Sequence, residues 1–410
     1  MDVADQPSRG RRIGALAFLM IGYFFYAWSW NTVDILRPYL RDEFHLSLAQ
    51  AGSLYSVQAI GGICGAIMLG QLADRIGRRN TLVIAMMGYG SLLVSGVFLQ
   101  SYTELLLQRL ALGFFMGAMY PVAAGLYAGL FAPAVRGLIA GIALAVYNLA
   151  VAALGFLSAA AFRAGFHWHL LLWAGLIPTM LALLAFVFIP DDRLPPLREA
   201  PGNIAAGPNA RFPIAELFQP TVARQTILLA VMSGLNLFAY QVFTGWASTY
   251  LKSVRAFDDA LVGDILGWQF AGAALGGLFW GAISDRLGRR SGSGGFLLAA
   301  GIIPLYLFVP LPTALIKALG FAYGVMLSAS AIWGPWLSEL YPSHLRSTAA
   351  SIYNWGRGLS MMAPLITAPL AGAFGLVPVM ALASICFVVA ALIWRALPET
   401  AVSRADVAGV

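Results

Sequence analysis

Long apolar stretches alternate with short polar ones along the whole chain. Twelve runs of roughly 18 or more nearly uncharged residues can be drawn, each long enough to cross a hydrocarbon layer as a helix. The first three cover 13–39, 48–72 and 81–99. The ninth, 293–309, is short and carries Pro304. The longest polar interruption follows the sixth run and is rich in Pro, Ala, Gly and Asn, with charges of both signs. That composition reads as a linker rather than a third domain. The pattern predicts an all-α polytopic membrane protein. Twelve transmembrane helices form two six-helix pseudo-symmetric halves, residues 1–189 and 225–410, joined by a linker over 190–224.

Composition agrees with this reading. The apolar fraction is 60% and mean hydropathy +0.78, more than a soluble chain needs to fill its interior. The net charge of +7 points to topology, not to a nucleic-acid partner. Of the 25 Lys and Arg, 17 fall in the tails and in alternate loops on one side, five on the other, and Arg37, Arg109 and Arg357 within helices. Basic loops stay cytoplasmic during insertion. Arg9, Arg11 and Arg12 therefore predict a cytoplasmic N-terminus, and an even number of spans a cytoplasmic C-terminus, in a plasma (inner) membrane. The first apolar run is too long for the apolar core of a signal peptide and lacks a small-residue cleavage site. Cys64 and Cys386 both lie in apolar runs and read as core residues. Two cysteines so placed exclude a disulfide framework.

A repeat underlies the pattern. Residues 58–79 and 269–290, laid over each other without gaps, agree at nine of 22 positions. The shared core is Gly70-Gln71-Leu72-Ala73-Asp74-Arg75-Ile76-Gly77-Arg78-Arg79, answered by Gly281-Ala282-Ile283-Ser284-Asp285-Arg286-Leu287-Gly288-Arg289-Arg290. Because only 10% of residues are charged, two matching charge clusters mark a duplication. Asp74 and Asp285 each close a helix and face the prospect of a neighbouring helix N-terminus. The arginines can reach carboxylates at other helix ends, such as Asp191 or Glu399. The plainer alternative is a topology anchor, which would not need the aspartates.

This loop pattern resembles the signature loop of the major facilitator superfamily. Pro398-Glu399-Thr400 after the last span and Glu339-Leu340-Tyr341-Pro342…Arg346 after span 10 resemble that superfamily too. The resemblance covers essentially the whole chain and implies a secondary transporter that rocks two six-helix halves around a central site. It further implies that Asp74, Arg75, Arg78, Arg79, Asp285, Arg286, Arg289 and Arg290 form a gating latch for the outward-open state.

Ionisable groups inside spans are expensive and usually face a cavity. Arg357 sits about ten residues into span 11, with Asn354 three positions before it on the same face. Its partner is either a carboxylate from another span, such as Asp34, or a substrate anion. Asp34 is the only acid of span 1. Tyr26, Trp30 and Asp34 recur at i, i+4 and i+8. Asp34 reads either as a proton-coupling carboxylate or as the structural partner of an arginine. Asn31-x-x-Asp34 resembles the Asp-x-x-Asp of span 1 in aromatic-acid/proton symporters of the superfamily, with Asn replacing the first Asp. Arg109, followed by Gly113 and Gly117, matches a pattern widespread in that superfamily. It serves either the substrate pathway or a helix end. Met116 stands where some carboxylate transporters carry a glutamate. Neutral polar residues complete a candidate cavity: Trp30, Asn31, Gln58, Tyr147, Asn148, Asn236, Tyr240 and Gln269, with Trp355 beside Arg357.

These residues favour a proton-coupled symporter of a small organic anion, a monocarboxylate or aromatic acid. A drug/proton antiporter would show Gly-x-x-x-Gly-Pro-x-x-Gly-Gly in span 5, which instead reads Gly141-Ile142-Ala143-Leu144-Ala145-Val146-Tyr147-Asn148. A sugar or nucleoside carrier is a further alternative. No phosphate-binding loop motif or other enzyme signal is present, and no cofactor is expected. His167 and His169 sit in an outer loop without cysteine or carboxylate neighbours in sequence, so no metal site is expected. The partners expected are an anionic small molecule, protons and the lipid bilayer, with the chain acting as a monomer.

Overall fold

A computed structural model describes residues 8–190, 216–341, 345, 349 and 352–400, and the described residues are nearly all helical. Most of the linker, residues 191–215 with Asp191, lies outside them, as do Pro342 and Arg346. The helices of the first half are α1 (Arg9–Ile35), α2 (Arg37–Glu43), α3 (Leu48–Ile76), α4 (Arg78–Ser95), α5 (Tyr102–Gly117), α6 (Met119–Leu130), α7 (Pro133–Arg163) and a mixed 3-10/α stretch α8 (Trp168–Phe188). They are followed by α9 (Ala223–Thr249), α10 (Asp259–Leu287), α11 (Gly292–Phe308), α12 (Thr313–Leu327), α13 (Trp333–Leu340), α14 (Ile352–Phe374) and α15 (Leu376–Ala396).

Among the described residues, eleven helical stretches are long and apolar enough to cross a membrane. The 23-residue α14, interrupted by Pro364 and Pro369, occupies the predicted place of span 11 but is not among the eleven. Large apolar side chains point outward throughout, such as Met180 at 72% and Leu278 at 73% exposure. In water such a surface would aggregate; in lipid it is the solvated one, while the backbone stays satisfied inside each helix.

The described chain divides into two compact units, one formed by Met1–Asn203 with Leu251–Gly267, the other by Ile204–Tyr250 with Trp268–Val410.

Local chemistry sets the helix ends. Ser47 and Gln50 form a reciprocal capping box at the start of α3, and Ser101 and Glu104 form one at α5; each satisfies backbone N–H groups that a helix leaves orphaned. The glycine inside each signature ends its helix. Gly77 has φ 91° and Gly288 φ 86°, a conformation that side chains disfavour.

Helix packing repeats the sequence offset of 211. A Cβ placed on Gly113 would lie 2.0 Å from the Gln58 carbonyl oxygen, and one on Gly324 would lie 1.9 Å from that of Gln269. Gly61 meets Leu110 in the first unit as Gly272 meets Phe321 in the second, and Gly65 meets Phe114 as Gly276 meets Val325. Backbones touch at each place because no side chain intervenes, the usual device for close helix contact in membranes.

Candidate functional site

In the first unit a polar cluster is buried among α1, α2, α3, α5 and α7. Span 1 does not run straight: α1 ends at Ile35 and α2 begins at Arg37, with Leu36 at the joint. The bend brings Asp34 and Arg37 together, with Oδ1 and Nη2 2.6 Å apart. The Arg37 side chain is fully buried and that of Asp34 is 7% exposed. This pair is the partner that the sequence pattern did not assign to Asp34.

Arg109 of α5 lies beside it and is 1% exposed. Its Nη1 donates to Thr32 Oγ1 at 3.0 Å and reaches Gln58 Oε1 at 3.5 Å. These are side chains of α1 and α3, not the carbonyls of a helix end. The Nε of Arg109 is buried with no hydrogen-bond partner among the described residues. Gln58 is held from its other end, where Nε2 donates to the Trp30 carbonyl at 3.0 Å. The stripe predicted on span 1 is present: Tyr26 and Trp30 have ring centroids 6.1 Å apart, and Trp30 stands edge-on to Tyr55.

Asn31 extends the cluster to α7. Its Nδ2 donates to Tyr147 Oη at 2.9 Å and to the Ala27 carbonyl at 2.8 Å. Tyr147 packs against Tyr23 and Tyr26, each with centroids 6.1 Å away. Asn148 is different. Its Nδ2 donates to the Leu144 carbonyl one turn earlier on its own helix rather than to the cluster.

The second unit carries a smaller network. Gln269 Nε2 donates to Thr244 Oγ1 at 3.3 Å, and that hydroxyl is 3.3 Å from Tyr323 Oη. Neither Thr244 nor Tyr323 is conspicuous in the sequence, because hydroxyls on apolar helices usually bond within them. Asn236 on α9 is 3% exposed, and its Oδ1 has no hydrogen-bond partner among the described residues. Tyr240, one turn on, is half-buried. Arg357 is exposed on α14. Beside it Gly356 lets α14 approach α9, since a Cβ there would meet Ser233 Oγ at 2.6 Å. The side chains of Asn354 and Trp355 lie outside the described set.

The two signature loops are built differently. In the second unit Arg289 pairs with Glu339 at 2.7 Å and with Asp285 at 3.1 Å. The backbone N–H groups of Arg289 and Arg290 donate to the Glu399 carboxylate at 2.7 and 2.8 Å. Thr400 Oγ1 bonds Glu339, and Arg290 Nε donates to the Leu397 carbonyl at 2.7 Å. Glu339 and Pro398-Glu399-Thr400 are thus tied to the loop by direct bonds, while Arg286 is exposed. In the first unit Arg78 donates to the Gly125 carbonyl at 3.0 Å and Arg79 lies over the Phe186 ring at 5.3 Å. Asp74 and Arg75 are exposed, and Asp74 pairs with none of the described residues.

Two further clusters of the first unit escape the sequence pattern because their members are far apart in the chain. Lys252 meets Asp42 at 3.4 Å and Asp259 at 3.1 Å, and lies 4.1 Å from the Tyr39 ring centroid. His167 and His169, expected to lack carboxylate company, have it in Glu43.

A chain of buried charge at the bends and crossings of apolar helices suits a membrane carrier better than an enzyme. The 4-hydroxybenzoate transporter PcaK of Pseudomonas putida is 26% identical over 388 residues, covering 87% of this chain and 84% of that protein. The citrate-proton symporter of Klebsiella pneumoniae is 26% identical over 381 residues, covering 84% and 81%. Among solved structures, a bacterial homologue of the human lysosomal transporter Spinster matches with a TM-score of 0.78 at 16% identity, covering 95% of this chain and 97% of that one. The Major Facilitator Superfamily profile matches residues 19–263, more than half of the chain, and with the duplicated loop this places the chain in that superfamily, to which it belongs.

Proposed function

We propose that this chain is a secondary transporter that moves a small organic anion, a monocarboxylate or aromatic acid, by alternating access in symport with a proton. One observation carries the reading. Arg109 is a buried guanidinium whose hydrogen-bond partners among the described residues are neutral, with Nε unbonded. Asp34 is already paired with Arg37, so two buried arginines face one carboxylate. Burying an uncompensated charge is costly, and a bound carboxylate would relieve that cost while accepting the planar donors of arginine. The names of the relatives, a 4-hydroxybenzoate transporter and a citrate-proton symporter, support an acid as the cargo.

Within this reading the candidate anion contacts of the first half are Arg109 with Trp30, Asn31, Gln58 and Tyr147, and those of the second half are Arg357 with Asn236, Tyr240, Gln269 and Asn354. Asp34 is the proton carrier: protonation would release Arg37, and deprotonation would restore the pair. The halves are 1–189 and 225–410, and the two signature loops act as latches. The protein acts as a monomer in the plasma membrane, and the distribution of Lys and Arg supports a cytoplasmic placement of both termini.

A thermal-shift screen of purified protein against hydroxybenzoate, citrate, neutral sugars and a cationic drug tests the proposal. A bound ligand raises the melting temperature by mass action. Stabilisation by the acids supports the reading, and stabilisation by sugars or cations alone overturns it.

A further inference from the structure

We infer that Glu43, His167 and His169 form a binding site for a divalent transition cation of the zinc class. Glu43 is the last residue of α2, His167 immediately precedes α8, and His169 lies in its first turn. Folding brings these distant segments together. His169 Nε2 is 3.3 Å from Glu43 Oε1, and His167 Nε2 is 3.8 Å from Glu43 Oε2. One ligand atom from each of the three lies within 4.8 Å of the others. Tetrahedral zinc with bonds of about 2.0–2.2 Å sets its donors about 3.3–3.5 Å apart. Small side-chain shifts therefore convert this cluster into a three-ligand shell with a fourth position open to solvent.

The donor chemistry is specific. Two imidazoles and one carboxylate suit zinc, nickel or copper, whereas magnesium and calcium prefer oxygen ligands. The carboxylate is also held in place. Trp168 Nε1 donates to Glu43 Oε2 at 2.8 Å, the kind of outer hydrogen bond that orients a ligating carboxylate. The two imidazoles share a hydrogen bond between their Nδ1 atoms at 2.7 Å. Ligation through both Nε2 atoms moves one ring proton onto Nδ1 and breaks that bond. The His167 side chain, 63% exposed, has room to turn as it does so. A metal there would tie the end of α2 to the start of α8 and brace the joint that also carries the Asp34–Arg37 pair. None of the three residues belongs to the proposed anion site.

The test is calorimetric titration of ZnCl2 into the full-length protein in detergent, purified without a polyhistidine tag, with MgCl2 in parallel. Saturable zinc binding at one site per chain is expected, weakened at least tenfold in His169→Ala and abolished in His167→Ala/His169→Ala. Glu43→Gln should weaken it less than either histidine change. Zinc should raise the melting temperature of the parent protein and not of the double variant, a readout independent of transport. Absent zinc heat, equal binding of magnesium, or unchanged affinity in the double variant would each overturn the site. If a variant fails to fold, blocking of the histidines by diethyl pyrocarbonate replaces it. Zinc protection of His167 and His169, mapped by mass spectrometry, supports the site, and equal modification with and without zinc overturns it.

Discussion

Asp34 and Arg37 form an ion pair across a bend in one chain, three positions apart and out of water, with Oδ1 and Nη2 separated by 2.6 Å. The bend at Leu36 is what permits the contact. Breaking a buried pair from one side strands the other charge and costs about 3–5 kcal/mol. Asp34→Asn and Arg37→Met should therefore each lower the melting temperature, and the double variant should recover most of the loss. A double variant as unstable as the sum of the singles would mean that the pair is not the source. Transport separates the second role. If Asp34 carries the proton, Asp34→Asn retains counterflow and loses pH-driven accumulation. Accumulation that still follows the pH gradient would transfer that role elsewhere.

Arg109 and Arg357 are rival anion anchors. Arg109→Gln keeps a donor toward Thr32 and removes the charge, so the fold should persist while anion binding falls. A hydrogen bond to a charged group is worth about 1.5–3 kcal/mol, which corresponds to a loss of roughly 10- to 150-fold in affinity. Arg109→Lys should recover only part, since Lys lacks the planar fork. The check is direct binding of radiolabelled 4-hydroxybenzoate to each variant and to Arg357→Ala. Binding that survives Arg109→Gln but disappears in Arg357→Ala would move the anion site to the second unit.

The glycine contacts predict matched effects in the two halves. A Cβ on Gly113 or Gly324 would press within 2.0 or 1.9 Å of a backbone oxygen, which no rotamer change relieves. Gly113→Ala and Gly324→Ala should each destabilise by at least the 1–3 kcal/mol typical of overpacking, about the same in both. Gly141→Ala, where a Cβ meets nothing within 4 Å, should be neutral. Thermal unfolding of the three variants decides the matter. A neutral Gly113→Ala would show that α3 and α5 are not packed as described.

The helical architecture and the duplication were legible because both are written in contrast. Charges are rare in this chain, so Asp74-Arg75 and Asp285-Arg286 stand out, as do uncharged runs. The continuation of the repeat into Gly113 and Gly324 was not legible, because small residues are abundant here and carry no signal without their packing partners. Asp34 was visible as a lone acid, but its partner depends on the bend at Leu36, which hydropathy does not report. The same holds for Glu43, which lies 124 positions before His167. Chemistry that depends on one side chain could be read; chemistry that depends on two distant ones needed the fold.

The unequal signature loops predict unequal variants. Glu339 follows the tenth span, Thr313–Ile332. Burial alone would raise its carboxyl, but hydrogen bonds from Arg289 and Thr400, with the Arg289 charge, hold it below its ordinary value. A carboxylate with a lowered folded-state pKa stabilises the protein above its unfolded value, about 4.3 for Glu, and that stability disappears as pH falls through the folded value. The Glu339 contribution should therefore be complete at neutral pH and fade only below about pH 4.3. Its size is modest, about 0–1 kcal/mol for a partly exposed pair, but Arg289 also joins Asp285 and Ser284. Arg289→Ala should thus lower the melting temperature at pH 7 more than Glu339→Gln, and the gap between Glu339→Gln and parent should begin to narrow only below about pH 4.3. Asp74 is exposed and unpaired among the described residues, so Asp74→Asn should leave melting unchanged. If it acts as a latch, uptake in Asp74→Asn should nonetheless fall at normal expression, because its partner would form only in another state of the transport cycle. Normal uptake by Asp74→Asn would reduce the first loop to a topology anchor, held in place by Arg75, Arg78 and Arg79 alone.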